Sequence, residues 1–218
     1  MRHFARRTTL LALLALLPGS LAAQTDGTCV PVAARGSRTL GCYITAQTRL
    51  GALPRDSALW WHIEAFPSLA AARAAQGARA TAVESLGRAW LFTLADSGWR
   101  GTAGKPVAVI GPLPLVNARE FTAVYMEGVF RPGMRSRVHR HPGVEAWYTL
   151  EGEMCLETPG GTQVQRAGEG GVMVPGGQPM LLTGTGRRIR RSLVLILQDA
   201  SQPRSTPATD WTPRSLCR

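Results

Sequence analysis

The feature that most constrains this chain is the stretch 133–152, which reads GMRSRVHRHPGVEAWYTLEG. It contains two histidines one residue apart, His139 and His141, and a carboxylate, Glu145, four residues later. Side chains alternate between the two faces of a strand, so both imidazoles point the same way. A proline-glycine pair then bends the chain and lets Glu145 return beside them. Two imidazoles and one carboxylate on one side of a divalent cation make a metal site with open coordination positions.

These residues also carry a resemblance to a known family. Gly133, the two histidines, Glu145 and Gly152 stand at the spacing of the first conserved motif of the cupin superfamily, which the chain resembles over about residues 119–200. The resemblance implies a mostly β fold, with a cupin-type antiparallel jelly-roll barrel preceded by a smaller α+β segment. It also implies a barrel that holds a metal or small ligand in its interior, and a homodimer paired through barrel strands.

The second cupin motif is only partly present. Pro175-Gly176-Gly177 matches its core, but Met180 stands where the family has a histidine as fourth ligand. We expect Met180 to form an apolar wall that leaves coordination positions open; the alternative is a weak thioether ligand, which suits copper. His62 follows two tryptophans in a predicted strand and is expected to be a packed residue. The alternative is that His62 replaces the missing fourth ligand.

The sequence divides into four parts. Residues 1–23 combine early arginines, a short apolar run and small residues, which is typical of a signal peptide and indicates a periplasmic or secreted protein. The apolar run is far shorter than the roughly 20 residues that span a bilayer, so a stable membrane anchor is not expected. Residues 24–117 read as an α+β segment, 118–200 as the barrel and 201–218 as a C-terminal tail.

The cysteines predict disulfides. Cys29, Cys42, Cys155 and Cys217 are an even number in a chain with a predicted signal peptide. Four cysteines allow three pairings; the favoured one joins Cys29 to Cys42 and Cys155 to Cys217, so that the second bond fixes the tail across the barrel wall. Metal ligation by cysteine is the alternative, and no pair has the close spacing of a zinc knuckle.

The formal net charge is +11, but the basic residues form only one tight cluster, Arg187-Arg188-Ile189-Arg190-Arg191. We expect this cluster to be a solvated sheet edge, with an anion-binding patch as the alternative. The arginines near the histidine strand, at 131, 135, 137 and 140, could attract anions to the mouth of the site. Binding to nucleic acid is not expected of an exported protein.

The barrel strands set the direction of the site residues. Parity places Glu145, Trp147 and Thr149 on one face and the three residues Ala146, Tyr148 and Leu150 on the other, without deciding which face is inward. Tyr148 and Glu153 are candidate general bases only if they face inward. The sequence names no catalytic residue.

The predicted function is an exported metal-binding protein that acts on a small anionic or phenolic molecule at a His139/His141/Glu145 centre. The cofactor is a divalent transition metal: iron, manganese, zinc, nickel or copper. An oxygenase or isomerase is the enzymatic interpretation. A non-catalytic small-ligand or metal-binding module, or a metal-free structural barrel, is the alternative.

Overall fold

A computed structural model describes residues 29–54, 58–101 and 103–217 of the chain. The predicted signal peptide at 1–23 lies outside these residues. In the part described, no helix has the length and apolar character needed to cross a membrane.

The described residues are mostly β. The N-terminal elements are β1 (Val30–Pro31), β2 (Gly41–Gly51), β3 (Trp60–Phe66), α1 (Leu69–Ala74), β4 (Ala80–Ser85), β5 (Arg88–Ala95) and β6 (Lys105–Ile110). The later strands are β7 (Phe121–Phe130), β8 (His139–Arg140), β9 (Gly143–Glu151), β10 (Glu153–Thr158), β11 (Gly161–Arg166), β12 (Val172–Val174), β13 (Leu181–Thr185), β14 (Arg190–Asp199) and β15 (Thr206–Pro207). The expectation of a mostly β fold with a small N-terminal α+β part is confirmed.

Two sheets enclose the barrel interior. The main sheet has the order β1-β2-β7-β14-β9-β12, and the smaller sheet has the order β11-β10-β13. Strands from distant parts of the chain lie side by side in antiparallel pairs, as β14 does between β7 and β9. This is the strand arrangement of a cupin-type jelly roll. Side chains from both sheets fill the interior as an inner cluster that includes Val124, Met126, Phe130, Trp147, Met154, Leu156, Met180, Leu182, Val194 and Ile196.

A third layer covers the other face of the main sheet. The N-terminal sheet, β4-β5-β3-β6, packs there through an outer cluster that includes Trp61, Ile63, Trp90, Phe92, Phe121, Tyr125, Ala146, Leu193 and Leu195. Because both faces of the main sheet are covered, all ten residues of β7 are buried. This double cover is the reason that β7 and β14 are apolar at successive positions rather than at alternate ones.

A buried carboxylate joins the N-terminal sheet to the barrel. Glu127 on β7 accepts hydrogen bonds from Ser85 Oγ at 2.9 Å and from the Leu86 backbone N–H at 2.7 Å. Arg35 forms an ion pair with the same carboxylate. Leu86 has a φ of +53° in the turn between β4 and β5. The carboxylate therefore holds this turn against the main sheet.

The helix α1 begins at a serine cap. The Ser68 hydroxyl accepts a hydrogen bond from the Ala71 backbone N–H at 3.1 Å, which is the N-cap contact expected of a serine at this position. The predicted boundary at residue 117 stays a prediction. The structure adds that β2, from the N-terminal part, pairs with β7 and so extends the barrel sheet.

The two predicted disulfides are present. Cys29 is bonded to Cys42, and Cys155 on β10 is bonded to Cys217 in the tail. Glu157 also holds the tail, because it accepts hydrogen bonds from the Leu216 backbone N–H at 3.1 Å and from that of Arg214. The tail therefore pairs first with β8 through β15 and then runs along the smaller sheet.

Candidate metal centre and its cavity

Three side chains converge inside the barrel. His139 and His141 come from β8 and the bend after it, and Glu145 comes from β9. One possible ligand atom from each lies within 4.8 Å of the others. Gly152, at the other end of the motif, has a φ of +73°, and a Cβ there would lie 2.8 Å from the Arg190 Cα. Glycine at this position therefore lets the end of β9 pack against the start of β14.

Backbone carbonyls orient both imidazoles. His139 Nδ1 lies 2.8 Å from the Arg137 carbonyl oxygen, and His141 Nδ1 lies 2.6 Å from the Arg204 carbonyl oxygen. A carbonyl only accepts, so each Nδ1 carries the proton and donates it. Each Nε2 then keeps its lone pair, which is the arrangement that carbonyl partners impose on metal-binding histidines.

Glu145 is buried, with 3% of its surface exposed. Its Oε2 lies 3.2 Å from His141 Nε2. Within the described residues this oxygen has no hydrogen-bond partner of good geometry. A buried carboxylate oxygen without a donor, facing an imidazole nitrogen, has the chemistry of a cation ligand. The three residues therefore fit a divalent metal ion.

The charges of the group agree with this donor set. Burial lowers the pKa of His139, with His141 lowering it further. Burial also lowers the pKa of His141, but the Glu145 carboxylate outweighs burial and leaves that pKa above its ordinary value. Burial raises the pKa of Glu145, but the adjacent His141 outweighs it and leaves that pKa below its ordinary value. The carboxylate is thus ionised and His139 neutral, as metal ligands must be, whereas a metal ion must displace a proton from His141.

The three side chains line a cavity of about 320 Å³. Trp147 lines the same cavity, so the face of β9 that carries Glu145 and Trp147 points inward. Ala146, Tyr148 and Leu150 pack in the outer cluster instead. The parity expected from the sequence is therefore correct, and the structure decides which face is inward.

Met180 lies next to the histidines. Its backbone pairs with that of His139 in both directions, at 2.8 and 3.1 Å. Its side chain, 1% exposed, belongs to the inner cluster. The position of the missing fourth ligand is therefore occupied by an apolar side chain next to the site.

Arg190 corrects the expectation for the basic cluster. The cluster was expected to be a solvated edge, yet Arg190 is 1% exposed and lines the cavity. Arg188 and Arg191, by contrast, are partly exposed and form ion pairs with Glu151. Residues 190, 192, 194 and 196 of β14 share the inward face, so only one arginine of the cluster enters the barrel.

Other candidates lie away from the cavity. His62 Nε2 donates a hydrogen bond to the Asp96 carbonyl oxygen at 2.8 Å, and the ring packs on Trp99, so the structure does not bring His62 to the site. Tyr148 faces the outer cluster. Glu153 forms an ion pair with Arg166 at 2.9 Å. Neither candidate general base faces inward.

Sequence reasoning missed two parts of the site. Arg190 was grouped with its exposed neighbours, and the Arg204 carbonyl belongs to a tail whose path depends on the Cys155–Cys217 bond. Parity with Val194 and Ile196 was the available signal for Arg190. It was hidden because the other face of β14 is apolar too.

Comparisons with known proteins give only partial likenesses to solved structures. No family model and no curated protein matches the sequence. Among solved structures, the chain is similar to a cupin superfamily protein from Desulfitobacterium hafniense DCB-2, with 19% identity and a TM-score of 0.33 over 35% of this chain and 68% of that chain. It is also similar to a protein with a double-stranded β-helix domain from Klebsiella pneumoniae, with 18% identity and a TM-score of 0.35 over 43% of this chain and 73% of that chain.

A third similar structure is the DMSP lyase DddQ from Ruegeria pomeroyi DSS-3. The identity is 22% and the TM-score 0.35, over 39% of this chain and 43% of the lyase. The match thus spans less than half of the lyase. Likeness at these identities concerns the fold, and the cupin-type strand order described above is seen directly in this chain.

Proposed function

We propose that this protein is an exported metal-binding cupin that takes up a small anionic or phenolic molecule at a centre made by His139, His141 and Glu145. The observation that carries the proposal is the convergence of one ligand atom from each of the two imidazoles and from a buried carboxylate within 4.8 Å, at the wall of a cavity. Two neutral imidazoles and one carboxylate leave a divalent ion with one net positive charge. Such a centre favours water or an anionic oxygen donor at its open positions.

The bound metal would act as a Lewis acid that polarises an oxygen of the ligand. The chain itself supplies the rest. The Arg137 and Arg204 carbonyls fix both imidazoles, and the apolar residues of the inner cluster exclude bulk water from the cavity. Soft and hard divalent metals both accept this donor set, so iron, manganese, zinc, nickel and copper all remain candidates.

Metal analysis tests the proposal. The protein is exported with its own leader and purified without chelators or metal-affinity columns, and its metal content is measured by mass spectrometry. We expect about one metal ion per chain in the unmodified protein and in a His62→Ala control, and none in His139→Ala/His141→Ala. Equal, trace metal in all three proteins would overturn the metal centre.

A non-catalytic binding module is the second candidate, and one observation favours it. Among the described residues that line the cavity, the titratable side chains are the three proposed ligands and the arginines at 137, 190 and 204. Proton transfer would therefore need a proposed ligand or the substrate itself as base. Oxygen uptake or isomer formation by the metal-loaded protein, with phenols and small acids as substrates, would favour the enzyme; stoichiometric ligand binding without turnover would favour the module.

A homodimer is also proposed, on the resemblance alone. The N-terminal sheet covers the outer face of the main sheet, so a dimer would form through strand edges or the smaller sheet. Val164 on the edge strand β11 is 41% exposed and is one available contact. Light scattering coupled to size-exclusion chromatography would give the oligomeric state, and a monomer at micromolar concentration would contradict the proposal.

A further inference from the structure

Arg190 is a buried cation with free hydrogen-bonding capacity in the same cavity. Its Nε and Nη2 have no hydrogen-bond partner in the residues the structure describes, and the carboxylate that acts on its charge is that of Glu145. An aromatic ring holds the guanidinium in place. The guanidinium lies over the Phe130 ring, 5.4 Å from its centroid.

The surrounding backbone makes room for this side chain. A Cβ on Gly128 would lie 3.2 Å from Arg190 Nη1, so a larger residue at 128 would press on the guanidinium. The Nη1 end is therefore packed against β7. Nε and Nη2 form the opposite edge of the planar group, which is the edge that pairs with both oxygens of a carboxylate.

A second hydrogen-bond donor without a partner lines the same cavity. Trp147 is fully buried and lines the cavity, and its indole N–H has no acceptor among the described residues. Buried donors left without acceptors are costly, so a native cavity that keeps three of them is matched to an acceptor from outside the chain.

The rest of the cavity limits the charge of that acceptor. Apart from Arg190, the wall near β7 and β14 is apolar, with Met126, Phe130 and Val194. Arg137 and Arg204 also line the cavity, and Arg204 donates to the Cys29 carbonyl oxygen at 3.1 Å. At the wall formed by β7 and β14, Arg190 alone balances one negative charge, so a carboxylate fits this wall better than a phosphate dianion does. The cavity volume of about 320 Å³ has room for about ten water molecules, and so for a small organic carboxylate of about ten non-hydrogen atoms.

We propose that Arg190 is the anion subsite of this cavity, and that the ligand is a small organic carboxylate whose second oxygen donor reaches the His139/His141/Glu145 centre. The inference rests on the proposed function and deepens it, because it names the ligand class of the same site. The carboxylate pairs with the Nε–Nη2 edge, and the Trp147 N–H donates to the same group. The hydroxyl, carbonyl or phenol oxygen of the ligand takes the open side of the metal.

Ligand binding tests the inference. Lactate, malonate and salicylate are compared with their neutral amides and with inorganic phosphate, by thermal shift and calorimetry, on metal-loaded and metal-stripped full-length mature protein. The variants are Arg190→Met, which removes the charge and keeps an apolar stem, and Arg190→Lys, which keeps the charge and loses the planar edge. Arg191→Met is the matched control, because Arg191 is the next residue and pairs with Glu151 at the surface.

We expect at least one carboxylate to bind both forms of the unmodified protein, more tightly with metal, while its amide does not. Arg190→Met should weaken that binding at least about tenfold, with Arg190→Lys between the two, since a charge-assisted bidentate pair is lost. Arg191→Met should change binding less than about twofold. The metal content of Arg190→Met should equal that of the unmodified protein.

Three results would overturn the inference: no carboxylate binds either form, Arg190→Met binds as tightly as the unmodified protein, or phosphate binds more tightly than every carboxylate. The metal measurement separates this inference from the proposed function. Carboxylate binding through Arg190 in a protein that takes up no metal supports the subsite and rejects the metal centre. One metal ion per chain in a protein that binds no carboxylate supports the metal centre and rejects the Arg190 subsite.

Discussion

Replacing Arg190 with methionine should stabilise the metal-free protein, which is the opposite of the usual effect of changing a buried residue. Arg190 is 1% exposed, and two of its nitrogens have no partner among the residues described. A residue kept for ligand binding is retained at a cost to stability. A residue kept for packing is not, so the sign of the change distinguishes the two roles.

The magnitude follows from the environment of the charge. Burial lowers the pKa of Arg190 to about 10, against the opposing effect of Glu145. Relative to an ordinary value of about 12.5, and at about 1.4 kcal/mol for each pH unit, the buried charge costs about 3 kcal/mol. Losing the contact with the Phe130 ring removes about 0.5–1 kcal/mol of stabilisation. Methionine keeps most of the apolar packing of the stem, so the net gain should be about 1–3 kcal/mol.

Urea unfolding of the metal-stripped protein, followed by tryptophan fluorescence with the disulfides intact, measures the change. For a domain of this length a gain of 1–3 kcal/mol corresponds to a rise in Tm of about 3–10 °C. Arg191→Met, whose ion pair is at the surface, should change the free energy of unfolding by less than about 0.5 kcal/mol. If Arg190→Met lowers the unfolding free energy by 1 kcal/mol or more at an unchanged m value, Arg190 is a structural residue and the reasoning is wrong.

Three further predictions concern the scaffold. Glu127→Ala removes the acceptor of the Ser85 hydroxyl and of the Leu86 N–H, and it should lower the free energy of unfolding in urea by about 3–5 kcal/mol. The control is Glu84→Ala, at an exposed position next to Ser85, which should lower it by less than about 0.5 kcal/mol; equal effects would contradict the anchoring role. Cys155→Ser/Cys217→Ser opens a loop with a sequence separation of 62 and should cost about 4 kcal/mol. The same variant should also weaken metal binding about 10–100-fold, because the tail supplies a carbonyl to a proposed ligand; unchanged metal affinity would contradict this coupling. Burial lowers the pKa of His62, so below about pH 6.5 the unfolded chain binds more protons than the folded chain, and the free energy of unfolding should fall as the pH falls further. His62→Gln should make the free energy of unfolding depend less on pH in this range, and an unchanged slope would refute the prediction.

The local pattern of the sequence was enough to predict that the three proposed ligands converge, since the His-x-His pair and the following carboxylate need only strand parity and one bend. The bend lies where that pattern places it, between β8 and β9. These features depend on residues close together in the chain.

The features that could not be predicted depend on long-range contacts. The N-terminal sheet covers the main sheet, and this makes Leu193 and Leu195 as apolar as Val194 and Ile196. The alternation that would have shown Arg190 facing inward is therefore absent from the sequence. The orientation of His141 likewise depends on Arg204, 63 residues away in the chain.

The path of the tail links the oxidation state of the protein to its candidate site. Cys155–Cys217 holds the tail on the smaller sheet, and β15 then pairs with β8, which carries His139. The carbonyl that fixes the proton on His141 Nδ1 belongs to this same tail. If the tail were released, His141 could adopt either tautomer and its Nε2 would no longer be reserved for a cation. Oxidation of this cysteine pair would then do more than stabilise the barrel, since it would also fix the tautomer of His141.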